Sequence, residues 1–150
     1  MKYVVLLGRI LFAAIFLAGA PRHFSAEGIA HAADLGTPLA SVVVPLSGIM
    51  AVLGAVSILL GYRARWGAWV LVAFLVPVTF MMHGFWRLHD PALIHLQQAM
   101  FMKNLSMLGA ALLLAQFGAG PLSVDERAKR SSPLATPEKK GYDLHPTARV

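Results

Sequence analysis

The chain has 150 residues, 57% of them hydrophobic and only 13% charged, with a net charge of +6. A water-soluble domain of that size cannot cover so much apolar surface with polar groups, so the composition places the chain in a membrane. It has no cysteine, which excludes disulfides, thiolate metal sites, iron–sulfur ligation and a thiol redox centre of its own.

The first apolar run is Tyr3 to Ala20. With Lys2 ahead and Ala18-Gly19-Ala20 behind, it imitates a cleaved signal peptide. Arg9 interrupts the apolar region, however, and Pro21 follows the would-be cleavage point, so it reads as a retained first span. Arg22 to Pro38 is too polar to cross. Ser25 can N-cap a short helix, Glu27 complements its positive end and Gly36 can close it, which predicts an interfacial helix.

Leu39 to Leu60 is the second span. Ser47, Ala51 and Ala55 recur every four residues and present a small-residue face for close packing, while Pro45 predicts a local bend. After the basic turn Gly61-Tyr62-Arg63-Ala64-Arg65, the third span covers 66–82, contains Pro77, and opens with Trp66 and Trp69 at the interface. Asp90-Pro91 reads as an N-cap followed by proline at the first helical position. The fourth span, 97–117, is long enough to cross at about 1.5 Å per residue against roughly 30 Å of hydrocarbon. Gly118-Ala119-Gly120-Pro121 stops it. Residues 123–150 are polar, contain three prolines and read as a disordered tail.

The expected architecture is therefore all-α: an integral membrane four-helix bundle over 1–122, with an interfacial helix between spans one and two. Lys2, Arg63, Arg65, Arg127, Lys129 and Arg130 fall on one side, and only Arg22 and Arg87 on the other. The positive-inside rule places both termini in the cytoplasm of a bacterial inner membrane. Basic residues so distributed are topology signals, and no nucleic-acid partner is expected.

Polar residues inside the spans are the candidates for function. Arg9 is expected to pair with Asp125 or Glu126 and brace the first helix against the last. Lys103 and Asn104, within the fourth span, are expected to face the bundle and meet the Phe85-Trp86-Arg87 segment. With His83, Trp86 and Arg87 they form a candidate ligand site. A cation and an amide there could hold the carbonyl oxygens of a quinone or another lipid-soluble ligand and stabilise negative charge developing on quinone reduction. Five of the six histidines fall on the outer side, but none has compact ligand spacing, so no metal site is expected. No acid lies in a span to relay protons, and four helices leave little room for alternating access.

In order and spacing, Gly8-Arg9, Leu35-Gly36-Thr37-Pro38, Gly48, Gly54, Leu59-Leu60-Gly61, Phe85-Trp86, Phe101-Met102-Lys103-Asn104-Leu105 and Gly120-Pro121-Leu122-Ser123-Val124-Asp125 resemble the DoxX family of small bacterial membrane proteins. That resemblance implies a membrane subunit or anchor of a redox system, with quinone as the candidate ligand and a redox enzyme as the candidate partner. The alternative is a non-enzymatic scaffold or assembly protein whose helix faces bind a partner or a second copy of the chain. The family often carries a glutamate where this chain has Ala51, and a lysine shortly after the first span, where it has Ala20-Pro21-Arg22-His23. Chemistry that depends on that acid and base is not expected here.

Overall fold

Each apolar run closes into a helix, and several are bounded by residues that cap them. In a computed structural model, which describes residues 2–131, the helices are α1 (Lys2–Gly19), α2 (Ala26–Asp34), α3 (Ala40–Leu60), α4 (Ala64–Met82), α5 (Pro91–Phe117) and α6 (Val124–Arg130). Tight 3-10 turns, Ala20–Phe24 and Phe85–Arg87, follow α1 and α4. Among the described residues there is no strand. Four of the helices are long and apolar enough to cross a membrane: α1 with its 3-10 extension to Phe24, α3, α4 with its extension to Arg87, and α5.

The caps follow the sequence. Ser25 Oγ accepts from the Gly28 amide at 3.0 Å to start α2, and Asp90 accepts from Ala92 and Leu93 to start α5 at Pro91. That start lies six residues before the apolar run, so α5 projects beyond the stretch that hydropathy marks. α3 ends in a Schellman turn on Gly61, whose φ of +67° suits glycine: the Gly61 amide donates to Ile58 and the Tyr62 amide to Ser57. α3 and α4 both continue through their prolines.

α3 packs between α1 and α4, and α5 packs on the far side of α4. The buried core is built mostly from small residues, with Ala13, Ala51, Ala55, Ala68, Ala111 and Ala115 around Phe16, Ile58, Leu71, Phe74 and Leu75. Hydrocarbon solvates leucine as well as a neighbouring helix does, so close approach of backbones drives packing in a bilayer. The face expected at Ala51 and Ala55 is in this core. Large apolar side chains such as Leu7, Leu46, Leu53 and Leu113 point outward instead, as lipid-facing residues do.

The tail expected from Ser123 differs at its start. Ser123 Oγ caps α6 by accepting from Glu126 N at 3.1 Å, and the acidic first turn and basic last turn of α6 suit the helix dipole. The remainder of that predicted tail lies outside the described residues.

Candidate functional site

At the end of the bundle where α1 and α5 begin and finish, Arg9 is the organising side chain. It is only 3% exposed. Its guanidinium donates to the carbonyls of Ala119 and Leu59, each at 3.0 Å, and of Leu122 at 3.3 Å. Leu59 lies in the last turn of α3, where the Schellman turn leaves its carbonyl without a helical partner and where the dipole favours a cation. The expected pair with Asp125 or Glu126 is not formed. The Asp125 carboxylate instead accepts from the Arg63 amide at 2.8 Å and the Ala64 amide at 3.1 Å, capping α4. Glu126 pairs with Arg130 on an exposed turn. Arg9 and Asp125 thus fasten the segment after α5 to α1, α3 and α4 through backbone groups rather than through each other. The arrangement is structural.

Because Arg63 takes a left-handed φ of 48°, that carboxylate also holds a backbone conformation a non-glycine residue rarely adopts. Asp125→Ala is expected to lower stability by about 1–2 kcal/mol, as for loss of an N-cap. Glu126→Ala should change it by less than about 0.5 kcal/mol, as for an exposed ion pair. Thermal denaturation in mild detergent separates the two.

The residues expected to form a ligand site are divided by the structure. Asn104, 5% exposed, lies on the buried stripe of α5 with Ala111 and Ala115. Lys103 is exposed, with its Nζ 3.4 Å from the Met100 sulfur. His83 Nδ1 lies 2.7 Å from Gln97 Oε1 and ties the end of α4 to α5. Trp86 belongs to an edge-to-face aromatic cluster with Phe80, Phe85 and Phe101, while Arg87 is exposed beside it. None of the five lines either of the two main cavities.

The larger concentration of ligand-like features is at the α2 end. A cavity of about 320 Å³ lies between the end of α1, the 3-10 turn, α2, α3 and α4. This is the lower end of the usual range for small-molecule sites, about 300–1,000 Å³. Its walls are mainly apolar, from Met50, Phe74, Val78, Met81 and Met82 among others. Val43, Leu46, Ala73 and Pro77 also line it and are exposed on the lipid-facing surface of α3 and α4, so the cavity opens sideways.

Its polar centre is His23 and Ser47. The Ser47 hydroxyl donates to the Val44 carbonyl at 2.7 Å, so the 2.9 Å contact between His23 Nδ1 and Ser47 Oγ requires the imidazole to donate. That pattern puts a proton on Nδ1, and in the neutral ring it leaves Nε2 as an acceptor. The ring also packs at 5.6 Å from Phe74. Gly48 makes this approach possible: a Cβ there would lie 2.6 Å from His23 Cβ and 3.0 Å from Phe24 Cζ. Pro77, in turn, has no N–H to give the Ala73 carbonyl one turn earlier, a second acceptor on a residue that lines the cavity. Sequence alone marks Ser47 and Gly48 as a small face, but their partner is 24 residues away and reaches them only through the 3-10 turn. Among the described residues, no three histidine or carboxylate side chains gather as a metal site would require.

Comparison with known proteins identifies the family. The family model described as the SURF4 family matches residues 1–131. The chain belongs to the SURF4 family. It is 30% identical over 126 residues to the inner membrane protein YphA of Escherichia coli, covering 83% of this chain and 89% of that protein. It is also 28% identical over 81 residues to the ER-derived vesicles protein ERV29 of Saccharomyces cerevisiae, covering 54% of this chain but only 26% of that protein. No solved structure matches. SURF4 membership corrects the DoxX resemblance. The physical reason lies in the motifs that carried it: Gly48 and Gly54 serve close packing, Gly61 closes a helix, and Arg9 ties down a terminal segment. Such devices report a small helical bundle and do not distinguish one family of bundles from another.

Proposed function

We propose that this multi-pass membrane protein of the SURF4 family is a non-enzymatic component of the bacterial inner membrane that binds a small, largely apolar ligand in the cavity beneath α2. The observation that carries the reading is the His23–Ser47 pair: a locked, half-buried imidazole in a mainly apolar cavity that opens toward lipid. Ligand sites of this kind combine apolar walls with a few fixed polar groups that set orientation. The redox-subunit reading loses the resemblance on which it rested, and neither Lys103 nor Asn104 lines the cavity beneath α2. Location in the inner membrane is supported by the likeness to YphA. An orientation with the α2 end outside is supported by the basic residues of the Arg63–Arg65 turn and α6 at the opposite end.

Native mass spectrometry after mild extraction tests the reading. The wild-type protein is expected to retain a small apolar molecule at substoichiometric or greater occupancy. Ala73→Trp, which fills the cavity from a lipid-exposed position, should lower that occupancy roughly tenfold, in line with occluding a preformed apolar site. Equal occupancy in both proteins, or none in the wild type, would contradict it.

A further inference from the structure

The mouth of the cavity carries one fixed charge, the cation of Arg22. Arg22, His23 and His31 all line it, and among the described residues no carboxylate does. Arg22 has no ion-pair partner among the described residues, where the sole pair is Arg130 with Glu126. Its position is nevertheless fixed. The Arg22 carbonyl accepts from the Ser25 amide at 3.3 Å and the Ser25 hydroxyl at 3.0 Å. Gly28 of α2 lies so close to that carbonyl that any Cβ there would overlap it. Pro21 precedes it and restricts the backbone from the other side. The α2 N-cap therefore sets the base of an arginine side chain at the rim of an apolar cavity, with no ion-pair partner among the described residues.

Resting on the reading of the cavity as a ligand site, we infer that its ligand is a single-chain amphiphile with an anionic head, the head held by Arg22 at the mouth and the chain lying between α3 and α4. The guanidinium presents a planar set of donors that matches a carboxylate or phosphate. The about 320 Å³ of space corresponds to roughly ten groups of water size at about 30 Å³ each, enough for one medium-length chain. The sideways opening at Leu46 and Pro77 lets a longer chain continue into the bilayer. A quinone fits less well. Its uncharged head leaves the charge of Arg22 unanswered.

Equilibrium dialysis of labelled decanoate and decanol against the protein in lipid nanodiscs tests this, because the two share a ten-carbon skeleton and differ in charge. Nanodiscs carrying Ala73→Trp supply the background partition into lipid. The wild type should bind decanoate about tenfold more tightly than decanol, the scale expected for a charge-assisted contact. Arg22→Gln should bring decanoate to the level of decanol and leave decanol unchanged, and Arg22→Lys should restore part of the difference. Decyl phosphate distinguishes the source: binding equal to decanoate indicates a phosphate-headed, lysolipid-type ligand, and weaker binding a free carboxylate, each within the inferred class. If both probes bind above background but with equal affinity, or if Arg22→Gln keeps the preference, the anionic head is refuted and the cavity reading stands. If neither probe binds above the Ala73→Trp background, both fall.

Discussion

Replacing Arg9 with methionine is expected to lower the stability of the protein in detergent by about 3–5 kcal/mol, the lower part of the range for three carbonyls that each lose a donor at about 1–3 kcal/mol. Methionine keeps much of the length of the side chain and all of its apolar contact but none of its donors. Three carbonyls, of Leu59, Ala119 and Leu122, would then face the buried interior without their partner. Lysine is expected to recover only part of the loss, since a compact ammonium cannot present the planar fork that reaches three elements at once. Size-exclusion profiles after graded heating measure the effect. Arg9→Met as stable as wild type, within about 0.5 kcal/mol, would show that the guanidinium is not what holds the end of the bundle.

The second large effect is expected where α3 crosses α4. A Cβ on Gly54 would lie 2.7 Å from Leu71 Cδ2 and 2.9 Å from the Gly67 carbonyl oxygen, and a Cβ on Gly67 would overlap Ser57. Leu71 is completely buried and cannot move aside. Gly54→Leu is therefore expected to cost roughly 3 kcal/mol or more, at or beyond the upper end of overpacking penalties, and to broaden the size-exclusion peak. Gly8→Leu is the matched control. A Cβ at Gly8 meets nothing within 4 Å, so leucine there faces lipid and should be neutral or slightly stabilising, because glycine is a poor helix residue by about 1 kcal/mol. Equal losses at the two positions would mean that general helix propensity, not the crossing, governs the result.

The four spans and their caps were legible because hydropathy and capping are local properties. Ser25, Asp90 and Gly36 act where their chemistry predicts, and Gly36 takes a φ of +85° after α2. Arg9 was legible as a link to the segment around Asp125, but its partners were not. Charges are written in the sequence, whereas the carbonyls left free by a Schellman turn and by the chain after α5 emerge only when both ends meet. The division of Lys103 from Asn104 follows from helix geometry: adjacent residues point about 100° apart, so one can be buried while the other is exposed. The cavity was least legible. It depends on a histidine placed by a 3-10 turn, a glycine that admits it, and a proline inside α4, none informative alone.

The central claim is that the ligand enters beneath α2 and not beside Lys103. The methionines provide reporters at both places: Met50, Met81 and Met82 line the cavity, whereas Met100, Met102 and Met107 belong to α5 and do not. In a methyl-labelled NMR spectrum of the protein in bicelles, titration with decanoate or decanol should shift Met50, Met81 and Met82 saturably. Met100, Met102 and Met107 should stay within the small uniform drift caused by adding amphiphile to the lipid. Saturable shifts confined to Met100, Met102 and Met107, or drift of the same size at all six methyls, would contradict the account.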